Sequence, residues 1–137
     1  MDNVRQLRER GDSEKITINL GYVDLGRIDL LVQEGFYANR TDFIRTAIRN
    51  QLTSQSAEVS QSIERHTLEL GLREYHVADL EAARSAGETL HIKVVGLARI
   101  AAGVTPELAL ATISSLTVLG ALQASPQVRA ALAGRIK

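Results

Sequence analysis

Residues 15 to 20, Lys-Ile-Thr-Ile-Asn-Leu, limit what this chain can fold into more than any other six. They alternate strictly, so Lys15, Thr17 and Asn19 fall on one face of a strand and Ile16, Ile18 and Leu20 on the other. A strand this short does not hold itself together and needs a partner strand. No second strand-like run follows before about residue 89. The pattern therefore predicts pairing with the same strand of a second copy, giving a two-stranded ribbon with an apolar underside and a polar top.

The segments that follow are helical. From Val23 to Val32, apolar Leu25, Ile28, Leu31 and Val32 sit at helical spacing, with Asp24, Arg27 and Asp29 opposite. Gly26 lies inside this helix, where it costs about 1 kcal/mol relative to Ala, so close packing or a slightly weak helix is expected there. Gly35 stands where a left-handed C-cap is wanted. Asn39 is a good N-cap, and Asp42 follows in capping-box spacing. The second helix runs to about Leu52 and buries Phe43, Ile44, Ala47, Ile48 and Leu52, while Arg45 and Arg49 share its polar face. The order is thus strand, helix, tight turn, helix over residues 14–53. A two-stranded ribbon of this kind fits the major groove of B-DNA, where Lys, Thr and Asn hydrogen-bond base edges. Taken singly, the hexapeptide is an ordinary half-buried strand, Asn39 with Asp42 a helix cap, and Arg45 with Arg49 a solvated face. Their order and spacing carry the DNA-binding reading.

Ile-Thr-Ile-Asn-Leu at 16–20 and Gly-Phe-Tyr-Ala-Asn-Arg-Thr-Asp-Phe-Ile-Arg-Thr-Ala-Ile-Arg at 35–49 make this region resemble the ribbon-helix-helix family of CopG-, Arc- and MetJ-type regulators. The resemblance implies a homodimer whose antiparallel ribbon lies in the major groove of double-stranded DNA. By position it makes Lys15, Thr17 and Asn19 the base readers, with Ile16, Ile18, Leu20, Ile44 and Ile48 in the dimer core. Asn39, Arg40 and Thr41, at the start of the second helix, would meet a DNA phosphate through backbone N–H groups, which the helix dipole favours.

Charge adds little. Residues 1–54 hold eight Lys/Arg and eight Asp/Glu, so 8 − 8 leaves no overall basic field. The distribution is more favourable, because Asp24, Asp29 and Glu34 belong to the first helix, which should face away from DNA. Few phosphate contacts and a modest salt slope are expected. Residues 1–13 read as a flexible arm. The absence of cysteine excludes disulfides and cysteine-ligated metals. With no apolar run long enough for a membrane span and no signal-peptide core at the N-terminus, a soluble cytoplasmic protein is expected.

Residues 54–76 read as a linker helix, continuous over about 57–75, with Val59, Ile63 and Leu70 on one stripe and Glu69 and Arg73 placed for an i,i+4 pair. Residues 77–137 read as a small α/β module. After a short helix from Val77 to Ala86, the run Leu90–Gly96 matches Leu116–Gly120 when Val94-Val95-Gly96 is laid on Val118-Leu119-Gly120. The two strands should lie side by side in a parallel sheet. Thr105-Pro106 and Ser125-Pro126 are good helix starts, an N-cap residue followed by Pro at the first helical position. The first of these helices is expected to carry Leu108, Leu110, Ala111, Ile113 and Leu116, too apolar to face water on any side. Such strand-loop-helix units resemble a short leucine-rich-repeat-like solenoid; a compact oligomerisation module without true repeats explains the same residues equally well. The fold class is α+β, an N-terminal ribbon-helix-helix followed by this small α/β module.

His66, His76 and His91 are the only histidines and fall in unrelated settings, so no metal site and no cofactor are expected. No phosphate loop, nucleophile elbow or carboxylate pair stands out, which argues against an enzyme. The reading is a DNA-binding transcriptional regulator, a repressor in type. Its C-terminal module either drives higher oligomers or takes an effector or protein partner. The alternatives are the antitoxin of a toxin–antitoxin pair, whose tail would be disordered until bound, and a structural protein that polymerises through its C-terminal repeats.

Overall fold

The computed structural model describes residues 13–137, so the arm expected at residues 1–13 lies almost wholly outside the described residues. Two compact units part between residues 60 and 61. In the first, helix α1 (Tyr22–Gln33) and helix α2 (Arg40–Ser54) are joined by a tight turn. Helix α3 (Ser56–His66) follows after a one-residue break at Gln55. The turn has the chemistry that its sequence called for. Gly35 takes φ +85°, a left-handed conformation that suits glycine. Asn39 caps α2, its Oδ1 accepting the Asp42 N–H at 2.8 Å, and Asp42 Oδ2 in turn accepts the Ala38 N–H at 2.9 Å. Tyr37 meets the edge of Phe43 with ring centroids 5.0 Å apart.

Residues 13–21 carry no regular secondary structure, and the antiparallel ribbon expected at Lys15–Leu20 is not formed. Within one chain this segment has no strand to pair with: the strands among the described residues are all parallel and lie in the second unit. Gly26 also departs from expectation, since a Cβ there would meet nothing within 4 Å. Close packing within the chain does not explain it.

The second unit is built of three strand–helix pairs. Strand β1 (Glu69–Tyr75) leads to helix α4 (Val77–Ser85), β2 (Leu90–Ile100) to α5 (Pro106–Thr112), and β3 (Ile113–Gln123) to α6 (Pro126–Ala131), with a closing 3-10 turn at Ala133–Arg135. The sheet order is β1-β2-β3, all parallel. Val94, Val95 and Gly96 pair with Val118, Leu119 and Gly120, the register expected from the repeat. One face of the sheet packs on the helices. Leu80, Ile92, Val94, Leu108, Ile113, Leu116, Val128 and Leu132 form the fully buried part of that core. Thr112, the one buried polar side chain among the described residues, donates its hydroxyl proton to Leu108 O at 2.7 Å.

Three expectations for this half are corrected. The helix expected over 57–75 stops at His66 and gives way to β1, so the repeat has a third copy. Thr67 turns the chain at φ +53°, and the Leu68 N–H closes the helix on Ile63 O. The Glu69–Arg73 ion pair does form, at 2.8 Å, but on a strand with Gly71 between its members. Strand β2 does not stop at Gly96, where the matched run ends, but continues through Ile100. The helix after Pro106 ends at Thr112, and Ile113 and Leu116 belong to β3. That helix is not buried all round either, as Leu110 is exposed. Arg135 closes its end, donating from Nη1 to Leu110 O at 2.6 Å and to Ile113 O at 2.7 Å.

A glycine column locks the sheet. Gly71, Gly96 and Gly120 stand opposite one another and have φ of +124°, +136° and +117°. A Cβ on Gly96 would land on the Gly71 carbonyl oxygen, and one on Gly120 would land on that of Gly96. Both the backbone conformation and the close approach of neighbouring chains require glycine.

Candidate nucleic-acid interface

The residues singled out as base readers, Lys15, Thr17 and Asn19, are exposed and lie immediately before α1. The apolar residues that alternate with them are exposed too: Ile16 is 73% and Ile18 59% accessible. Isoleucines this open, beside a helix pair with only Ile28 buried, are an unfinished core. Of the two helix positions expected in the dimer core, Ile44 is half-buried and Ile48 is exposed, so this apolar stripe of α2 is also uncovered.

The start of α2 combines a cap with an ion pair. Two of its first four N–H groups are satisfied, that of Asp42 by the Asn39 side chain and that of Phe43 by Asn39 O. Those of Arg40 and Thr41, at the first two helical positions, are the groups an anion would meet. The Asn39 side-chain oxygen is thus occupied as a cap.

Arg40 is not an open cation. Its Nε and Nη2 donate to Asp29 Oδ1 and Oδ2, both at 2.8 Å, a two-pronged fork from α2 to α1. Those hydrogen bonds hold the Asp29 carboxyl below its ordinary value and raise the Arg40 guanidinium above its own. Asp29 was not among the residues that the sequence reading placed near the site. The two are 11 residues apart, on different helices, and no local spacing rule connects them. Arg45 and Arg49 lie exposed on α2.

Two of the histidines have partners within the second unit. His76 precedes α4, with Nε2 3.3 Å from Glu74 Oε2, and its N–H is taken by Asp79 Oδ2. His91 Nδ1 lies 2.9 Å from Ser115 Oγ across β2 and β3. No helix among the described residues is long and apolar enough to cross a membrane.

A family model, the Ribbon-Helix-Helix transcriptional regulator family, matches residues 11–129. The chain belongs to this family. Members of the ribbon-helix-helix family bind DNA, typically as dimers. The match extends well past the helix pair, through all three strands and into α6, so the strand–helix repeats lie within what this ribbon-helix-helix model describes. No curated protein and no solved structure matches the chain.

Proposed function

We propose that this protein is a sequence-specific transcriptional repressor that works as a dimer through an antiparallel ribbon of residues 15–20. The observation that carries the reading is the unfinished core beside a helix pair of the ribbon-helix-helix family. A second copy of Lys15–Leu20 laid alongside the first would turn Ile16, Ile18 and Leu20 inward onto Ile44 and Ile48. The same alternation would leave Lys15, Thr17 and Asn19 facing the major groove. The free N–H groups of Arg40 and Thr41 would take a backbone phosphate on the flank, with the Arg40–Asp29 fork fixing the angle between the helices.

The second unit serves assembly or effector binding in this reading. It is packed around its own core within one chain, unlike a tail that orders only on a toxin, and that weighs against the antitoxin alternative.

Gel-shift titration against the DNA upstream of the protein's own gene tests the proposal. Thr17→Ala and Asn19→Ala should relax preference at particular base pairs, by about 1–3 kcal/mol per lost contact, with the dimer intact. Thr41→Pro, which removes an N–H at the second helical position, should weaken binding to all sequences alike. Unchanged base preference in both strand variants would remove the ribbon as the reader.

A further inference from the structure

The strand–helix stack ends in two outer strands, β1 and β3, whose edges match each other. We infer that β3 of one copy pairs in parallel with β1 of a second copy, continuing the three-stranded sheet head to tail across molecules. The inference goes beyond the DNA-binding reading and does not rest on it.

Three observations carry it. The first is the glycine column. The carbonyl oxygen of each preceding glycine fills the place where a Cβ of Gly96 or Gly120 would stand, whereas nothing lies within 4 Å of that place at Gly71. Gly71 nevertheless keeps the same φ, +124°. The outer side of β1 is therefore shaped to receive another strand, with a glycine carbonyl opposite Gly71. Gly120 is the glycine that β3 presents on the opposite outer strand.

The second is register. Glu69 pairs with Val94 and Val94 with Val118, while Glu74 pairs with Arg99 and Arg99 with Gln123. Carried one strand further, β1 of the second copy lies along Val118–Gln123. That stretch lies past the contacts that the chain's last two residues make with β3, and within it Leu122 O accepts from Arg129 Nη2. Ile136 bridges β3 only at Leu116, and the Lys137 N–H donates to Leu116 O at 2.7 Å. The incoming strand begins at Glu69, beside Val118, and its chain turns at Thr67. On the sheet face away from the helices, the polar row already formed by Glu74, Arg99 and Gln123 gains a second Glu74, and Leu70 of the second copy falls beside Leu119.

The third is charge. Residues 69–88, the first strand–helix pair with the turn after it, hold five acids and two bases, so 2 − 5 gives −3. Residues 113–137 hold Arg129, Arg135 and Lys137 and no acid, giving +3. In the continued register, Lys137 comes next to Glu69 of the second copy. Opposite charge at the two ends favours this heterologous pairing over like ends meeting, and a heterologous contact that does not close a ring extends into an open chain of molecules.

The chain has no cysteine, so engineered disulfides report the contact directly. Within one chain Leu70 and Leu119 sit on the two outer strands, about 9.5 Å apart, beyond the reach of a disulfide. In the proposed junction they are neighbours about 4.8 Å apart. Full-length Leu70→Cys/Leu119→Cys, mildly oxidised without DNA, should give a ladder of covalent multimers on a non-reducing gel, whereas each single variant should remain unlinked. Both positions are exposed, so the core is undisturbed. A double variant that stays unlinked, or single variants that link as well as the double, would overturn the inference. In sedimentation at low salt, Glu69→Lys alone and Lys137→Glu alone should each reduce the mean assembly size, and the two together in one chain should restore it. A double reversal no larger than the singles would count equally against it.

Discussion

The two units of this chain solve the burial problem differently. The second encloses Leu80, Ile92, Val94, Ile113, Leu116 and Leu132 between its sheet and its helices, with no help from elsewhere. The first buries only Ile28 in its helix pair and leaves Ile16, Ile18, Ile48 and Leu52 in water. Their apolar residues are of the same kinds; what differs is whether one chain supplies both sides of the core. On the proposed reading, the first unit has its fold completed by association with a second copy.

The contrast can be broken from either side. Gly96→Ala should have the largest effect, because the added Cβ collides with the Gly71 carbonyl in the middle of the sheet at a φ that L-residues avoid. We expect a loss of ~4 kcal/mol or more from the second unit, read as a separate, early unfolding transition with the helical signal of the first unit retained. Ile18→Asp attacks the other side. In the single chain this position is open and the change would be harmless; in a shared ribbon core it places a charge on each strand. The expected cost is about 3 kcal/mol, seen as loss of the dimer and of DNA binding, with the melting of the second unit unaltered. Gly26→Ala is the smallest and sharpens the comparison most finely. With open space around it, alanine should stabilise α1 by about 1 kcal/mol. A destabilised variant would show that a second copy packs against this glycine.

Much of this was legible in the sequence where local chemistry determines structure. Gly35 and Asn39 marked the turn between α1 and α2, and Thr105-Pro106 and Ser125-Pro126 marked two helix starts, each with its hydroxyl accepting from the third helical N–H at 3.2 Å. Val95-Gly96 and Leu119-Gly120 fixed the register of two strands. Leu70-Gly71 carried the same aliphatic-glycine signal 25 residues earlier (96 − 71). It was overridden by Val59, Ile63 and Leu70 at helical spacing and by the helix-like offset of Glu69 and Arg73. The switch from α5 to β3 at Ile113 has neither glycine nor proline to announce it, and an apolar run reads equally as helix or strand. The Arg40–Asp29 fork depends on how two helices cross, which no local pattern encodes. The ribbon was read from the alternation at Lys15–Leu20, and that segment forms no strand in the single chain.

Amide hydrogen exchange across residues 15–20 in the DNA-free protein at micromolar concentration tests the central claim most directly. A ribbon completed by a second copy predicts slowed exchange in this segment that is lost on dilution and abolished by Ile18→Asp. Exchange at the rate of a free peptide, in a sample whose helices α1 and α2 are protected, would contradict it.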